Sequence, residues 1–209
     1  MEVLRELKEI VNPAHTALII IDPQCDFCSS QGFLAKRGLD MSRIQSAVPR
    51  LNNFIEQCRK TAVLVVWVKE VFAENKMLPN LKAIHGGADD WIIKEGGPGV
   101  EWYKEMTIPH GGEPVVTKWH YDGFEDTELG LLLRANGIKT LLMPGFAANV
   151  CVETTARHGF IKGYYIVAVS DCTDALTKQE YEAAMLNIKL YFGKVATSKE
   201  IVASWTRGG

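Results

Sequence analysis

The sequence predicts an α/β protein: a three-layer α-β-α sandwich built on a doubly wound, mostly parallel sheet of six strands. Three observations carry that prediction. Short runs rich in β-branched residues alternate with longer segments whose apolar residues recur at helical spacing. The runs at residues 17–21 and 63–68 are continuously apolar, the pattern of strands covered on both faces. No repeat or linker-like stretch interrupts the alternation, so residues 1–209 are expected to form one domain.

The elements follow in order. The first strand covers residues 17–21 and ends at Asp22-Pro23. Residues 41–60 read as a helix with Ile44, Val48, Leu51, Phe54, Ile55 and Cys58 on one face, and Pro49 inside it predicts a kink or break. Residues 63–68 form the second strand and 114–118 a short third. A helix over 127–136 turns Leu129, Leu132 and Leu133 inward and stops at Asn136-Gly137. The fourth strand covers 139–146, a helix from Asn149 to His158 is closed by Gly159, and the fifth strand covers 164–169. Tyr181, Ala184, Met185, Ile188 and Phe192 mark the last long helix, followed by an edge strand at 194–197. Between Glu70 and Glu113 the rhythm fails. That stretch holds Gly86-Gly87, Gly96-Gly97-Pro98-Gly99 and Gly111-Gly112 with Trp91, Trp102 and Tyr103. Such an insertion (about 70–113) is expected to act as a lid or subunit contact, or to pack on its own aromatics.

Composition excludes several classes. Apolar residues make up 47% and charged residues 23% of the chain, and the net charge is −2, which gives no footprint for nucleic acid or an anionic membrane. The N-terminus, Met1-Glu2-Val3-Leu4-Arg5-Glu6, lacks the pattern of a signal peptide, and no apolar run is long enough to span a bilayer. Five cysteines are too few and odd in number for a disulfide framework, so a cytoplasmic, reducing location is expected.

Doubly wound sheets place their ligand site at the carboxyl ends of the strands. Asp22 stands there after the first strand, Glu70 after the second, Lys118 after the third, and the run from Gly145 to Cys151 after the fourth. Cys151 falls in the first turn of the expected helix, with Asn149 as N-cap, where the helix dipole favours a thiolate. Lys118 adds positive charge, and Asp22 can take the thiol proton and return it to a leaving group. A buried cysteine acting as a small hydrophobe is the plainer alternative. The convergence of Asp22 and Lys118 on the same rim favours the chemical one.

Three segments resemble those of the isochorismatase-like cysteine hydrolases. Ile20-Ile21-Asp22-Pro23-Gln24-Cys25-Asp26-Phe27 resembles their I-D-x-Q-x-D-F opening; Lys118 through Phe124, Thr127 and Leu129 match their lysine segment. Gly145 through Cys151-Val152-Glu153-Thr154-Thr155-Ala156, then Gly159 and Asp171, match the cysteine segment. The resemblance implies an Asp22–Lys118–Cys151 triad, a non-proline cis peptide at Phe146-Ala147, and an oxyanion hole from the Ala147 and Cys151 N–H groups. Within that superfamily the closest likeness is to ureidoacrylate amidohydrolases and biuret-type hydrolases. Cys151-Val152-Glu153-Thr154-Thr155-Ala156-Arg157-His158-Gly159-Phe160 resembles their C-V-E-S-T-x-R-D-G-F, and Tyr121 sits where they keep a substrate-contacting tyrosine.

Substrate contacts are accordingly expected at Gln24, Phe27, Glu70, Phe72, Tyr121 and Phe146. Glu70 stands where the ureidoacrylate enzymes have Asn, and Phe72 where they have Trp. An acid there would repel a carboxylate substrate and favour an amide N–H₂ or a cation, unless Glu70 is merely solvated. No metal is expected, because the Asp-x-His…His site of the nicotinamidases of this superfamily has no counterpart in Lys69-Glu70-Val71-Phe72-Ala73-Glu74. No G-x-G-x-x-G follows the first strand, so no dinucleotide or other cofactor is expected. Cys25-Asp26-Phe27-Cys28 lacks the second pair or fold context of a zinc or redox motif, and Cys58 and Cys172 read as packing residues. The expectation is a cysteine amidohydrolase that cleaves a C–N bond of a small linear amide or ureido compound through a thioester. Vinyl-ether hydrolysis of the isochorismatase type and N-carbamoyl amidase activity are the alternatives, and a thiol sensor is the non-catalytic one. Its partners are expected to be the small-molecule amide and copies of itself in a dimer or tetramer.

Overall fold

The structure, a computed structural model, describes residues 3–85 and 92–206. In chain order it runs α1 (Leu7–Ile10), β1 (Thr16–Ile21), α2 (Cys25–Cys28), α3 (Phe33–Lys36), α4 (Ser42–Arg59), β2 (Leu64–Glu70), α5 (Pro79–His85) and β3 (Val115–Lys118). It continues with α6 (Leu129–Ala135), β4 (Thr140–Gly145), a π-helical turn (Ala148–Val152), α7 (Glu153–Ile161), β5 (Tyr165–Thr173), α8 (Lys178–Asn187), a second π-helical turn (Ile188–Phe192), β6 (Gly193–Ala196) and α9 (Ser198–Thr206). The six strands are all parallel in the order β3-β2-β1-β4-β5-β6.

β1 explains the layering. All six of its residues are buried, and alternate ones serve opposite faces. Leu18 and Ile20 pack with Ile44, Leu51, Phe54 and Ile55 of α4 and with Ile201 of α9. Ala17, Ile19 and Ile21 pack with Leu129 and Leu133 of α6, Ala156 of α7 and Ala184 of α8. Glycine is required where β1 meets the end of β4. Gly145 has φ +132°, and a Cβ there would lie 2.2 Å from the Ile21 carbonyl oxygen.

Several expectations are corrected. α4 is continuous through Pro49, which sits on its exposed side, while seven apolar side chains on the other face hold the helix to the sheet. Gly159 does not close α7, which runs to Ile161 with Gly163, φ +92°, beyond it. Gly159 is instead a packing site, where a Cβ would come within 3.1 Å of Ile166 and Leu141. Residues 198–206, left without an element by the sequence reading, form α9. Its first turn is held by Asp171, which accepts from the Ser198 N–H at 2.7 Å and the Ser198 hydroxyl at 2.6 Å.

The excursion from 70 to 113 builds a third apolar cluster of Phe72, Met77, Leu81, Ile92 and Ile93, against which Phe27, Phe33, Leu34 and Tyr121 pack. Gly86, Gly87 and Trp91 lie outside the described residues. Asp26 ties the excursion down, accepting from the Phe33 N–H at 2.9 Å and the Ile93 N–H at 2.7 Å. At its far end Glu113 takes two hydrogen bonds from Arg59 and one from the Trp67 indole.

Candidate active site

Register brings the chemistry together. Ile21 pairs with Val68 on one side and Gly145 on the other, and Glu70 pairs directly with Lys118. The strands therefore end at one level. Val68 and Val116, two residues before Glu70 and Lys118, face α6–α8, so by alternation Glu70 and Lys118 emerge on that face too. Alternation alone would send Asp22 with Ile20 to the opposite face. Asp22 escapes it by adopting φ +50°, a left-handed conformation that Asp tolerates better than most residues. Its N–H donates to the Val68 carbonyl and its carbonyl accepts from Gln24, which fixes the turn.

Cys151 arrives from β4 on a π-helical turn rather than in the first turn of an α-helix. Ala147, not Asn149, precedes that turn, and its carbonyl accepts from both Val150 and Val152. The Phe146–Ala147 peptide is cis. A wide turn of this kind interrupts the regular ladder and is frequent at functional sites. The Ala148 N–H donates to the Asp174 carbonyl at 2.9 Å, fastening the turn to the strand next door.

Lys118 lies at the centre. Its Nζ is 2.8 Å from Asp22 Oδ2, 3.0 Å from Glu70 Oε2 and 3.4 Å from Cys151 Sγ, and it donates to the His120 carbonyl at 3.0 Å. The Cys151 thiol donates to Glu70 Oε2 at 3.4 Å. Asp22 and Lys118 are completely buried, and Glu70 and Cys151 nearly so. Burial alone would strip Lys118 of its proton, but the negative charges of Asp22, Cys151 and Glu70 outweigh it and raise the pKa. Burial pushes Asp22 up to about 7; Lys118 pulls it down and Glu70 pushes it further up. Burial, then the Glu70 carboxylate, push the Cys151 thiol well above its ordinary value against the pull of Lys118. Asp22 Oδ1 and Glu70 Oε1 are buried without a hydrogen-bond partner among the described residues.

The expected substrate contacts divide. Tyr121 is half-buried against the apolar cluster that contains Cys151, and its phenol is pushed up by burial, then by Glu70 and Cys151. Glu70 belongs to the centre itself and is not solvated. Gln24 is fully buried: its amide N–H₂ donates to the Glu70 and Val100 carbonyls at 2.8 and 3.0 Å, and its Oε1 accepts from the Glu70 N–H at 2.8 Å. With every polar atom engaged by backbone, Gln24 positions Glu70. Phe146 is fully buried in the apolar layer on the α4 face, opposite Cys151. Phe72 is buried inside the excursion's cluster, and Phe27 packs half-buried between that cluster and the α4-side core. The sequence reading missed the tie between Asp26 and Ile93, since nothing local joins residues 67 positions apart.

Among the described residues, two groups bring three potential metal ligands together. Asp22, Glu70 and Cys151 offer atoms within 4.8 Å of one another, but Lys118 already supplies a cation there. Asp122, Glu125 and His158 form the other, where Asp122 and His158 are already bonded to each other. No helix among the described residues is long and apolar enough to cross a membrane.

A parallel α/β sandwich carrying Asp, Lys and Cys at the carboxyl edge defines a cysteine-hydrolase type of centre. The isochorismatase domain model matches residues 16–200, and the chain belongs to the isochorismatase family. It is 32% identical over 200 residues to the ureidoacrylate amidohydrolase RutB of Enterobacter sp. (strain 638), covering 88% of this chain and 86% of that protein. Among solved structures, a cysteine hydrolase from Pseudomonas syringae pv. phaseolicola superposes with a TM-score of 0.84 over 99% of this chain and 98% of that one, at 24% identity. N-carbamoylsarcosine amidase from Thermoplasma acidophilum superposes with a TM-score of 0.70 over 88% of this chain and 96% of that one, at 26% identity.

Proposed function

We propose that this protein is an amidohydrolase that cleaves a C–N bond of a small, linear, uncharged amide or ureido compound through a Cys151 thioester. The observation that carries the reading is the Lys118 ammonium, within 3.4 Å of the Cys151 sulfur and within 3.0 Å of two carboxylates. It stabilises the thiolate, while a neighbouring carboxylate receives the thiol proton. The thiolate attacks the carbonyl carbon, and the Ala147 and Cys151 N–H groups are the donors we assign to the oxyanion. The C–N bond breaks as the proton passes to the departing nitrogen, and water then opens the thioester. Support comes from the RutB and N-carbamoylsarcosine amidase likenesses, whose names both describe cleavage beside a ureido or carbamoyl group. The five free cysteines fit a reducing cytoplasm, where we place the enzyme.

The preference for an uncharged substrate rests on Asp22 and Glu70. Two carboxylates at one buried site repel a third, whereas the free Glu70 Oε1 can accept a substrate N–H. Ammonia release from a panel of primary amides, neutral ureas and carboxylate-bearing ureido compounds tests both statements. Neutral members are expected to show kcat/KM about tenfold or more above the carboxylate-bearing ones. No ammonia from any member would overturn the amidohydrolase reading, and a preference for the anions would overturn the substrate class.

A further inference from the structure

We propose that Asp174 is a positioning residue: its side chain, braced by Arg43, sets the peptide that holds the π-helical turn bearing Cys151. The inference rests on the amidohydrolase reading, since it gives a support to the nucleophile and oxyanion donors of that reaction. The need for a support arises where β4 and β5 lose register. Met143 pairs with Ala168 and Gly145 with Thr173, so β4 advances two residues while β5 advances five. The regular ladder is thus interrupted just before the turn, and contacts beyond the bulge hold the two strand ends together. One of these is the hydrogen bond from the Ala148 N–H to the Asp174 carbonyl at 2.9 Å.

A single peptide group transmits the hold. The carbonyl of Asp174 and the N–H of Ala175 belong to one rigid plane. Asp174 Oδ1 accepts from that Ala175 N–H at 2.8 Å and from the Arg43 guanidinium at 2.7 Å. The side chain therefore fixes the tilt of the plane, and the plane fixes Ala148. Arg43 stands in the first turn of α4, in the helical layer opposite α7, so the turn is braced across the sheet. The guanidinium also lies 6.0 Å from the Tyr181 ring centroid, and the Tyr181 phenol donates to the Ser170 carbonyl inside the bulge at 2.9 Å. Ala147 and Cys151, whose N–H groups are assigned to the oxyanion, lie on either side of Ala148 along the same turn. Moving such donors by about 1 Å can cost on the order of 100-fold in rate.

Acylation and alkylation of Cys151 separate positioning from plain stability. Both reactions need the thiolate, but only acylation develops an oxyanion. The rates are measured on folded protein with p-nitrophenyl acetate and with iodoacetamide, and mass spectrometry identifies modification at Cys151. Asp174→Ala is expected to slow acylation about tenfold or more relative to alkylation. Amide kcat should fall by a similar factor, with KM within about threefold of wild type. Asp174→Asn keeps an oxygen for the Ala175 N–H and should recover the ratio to within about threefold. Arg43→Ala should lower it in the same direction by a smaller factor, and carries the test if Asp174→Ala does not fold. A ratio within about twofold of wild type in the folded Ala variant would overturn the proposal, whatever its melting temperature. Equal losses in Asp174→Ala and Asp174→Asn would overturn it too, since the acceptor oxygen would then not matter. Absence of Cys151 acylation in wild type would remove the oxyanion that Asp174 is said to support. Ammonia release from amides decides the amidohydrolase reading separately, because neither reagent depends on it.

Discussion

Two of the molecule's charged clusters, each pairing a basic side chain with a glutamate, are left in different states. Around Glu113 everything is paired. Arg59 Nε reaches Oε1 at 2.7 Å, while Oε2 accepts from Arg59 at 2.8 Å, the Trp67 indole at 2.8 Å and the His110 N–H at 3.0 Å. Around Lys118 the pairing is incomplete: two carboxylates and a thiol share one ammonium, and oxygens of Asp22 and Glu70 lack a hydrogen bond. Both clusters join strand ends to distant segments. The satisfied one fixes the excursion to α4; the unsatisfied one leaves buried carboxylate oxygens without a partner among the described residues. A half-satisfied buried network is costly to stability, and proteins retain it where chemistry requires it.

The largest effect that breaks this comparison is on turnover. Cys151→Ala is expected to lower kcat by about 10⁴-fold or more while the circular dichroism spectrum is unchanged, because the covalent route disappears and the scaffold does not depend on the thiol. Activity within tenfold of wild type would remove Cys151 from the chemistry.

Next in size is a difference in stability. Glu113→Ala strands Arg59 and the Trp67 N–H in a largely buried setting, so urea melts are expected to show a loss of about 2–3 kcal/mol. Glu70→Gln should cost less than about 1 kcal/mol, since Lys118 keeps Asp22 and one of two crowded negative charges is gone. Equal losses in the two variants would mean that both clusters are structural.

The clusters should also respond to pH with opposite signs. Partial burial pushes Glu113 up, but Arg59, the His110 N–H and the Trp67 indole outweigh it and hold the carboxyl down to about 2. Its folded value lies below the ordinary 4.5, so its contribution is present above about 4.5 and is lost as pH falls toward 2. Asp22 is raised from 3.8 to about 7. Its contribution is complete below 3.8 and disappears as pH rises through about 7. Urea midpoints for wild type should therefore fall from pH 5 to 8 less steeply in Asp22→Asn, and the acid limb should flatten in Glu113→Gln. An Asp22→Asn profile parallel to wild type between pH 5 and 8 would show that Asp22 does not titrate there. The smallest expected effect is that of EDTA. Lys118 supplies the cation at the site, so the rate should change less than about twofold on chelation. A loss restored by added zinc would place a metal among Asp22, Glu70 and Cys151.

Much of this was legible in the chain because it is local or periodic. Continuous β-branched runs specify buried parallel strands, and the order of those strands along the chain puts Asp22, Glu70, Lys118 and Cys151 at one edge of the sheet. Where two local rules competed, only packing decided. Pro49 argued for a broken helix, yet the apolar face of α4 holds it whole. Gly159 read as a helix stop, and close approach to Ile166 and Leu141 makes it a packing glycine instead. Gln24 and Phe146 are both buried, one clamped to Glu70 and the other in the α4-side core, placements that no local pattern announces.

The sequence by itself determined which strands are buried, which edge carries the candidate site and which side chains stand there, because those follow from the periods and order of the chain. Tertiary structure decided how these groups meet. The left-handed turn at Asp22, the π-helical turn that carries Cys151 and the meeting of Cys151 with Glu70 depend on contacts between residues as far as 81 positions apart. Hydrophobic periodicity reports which face a residue takes; it carries no information about distances across a rim.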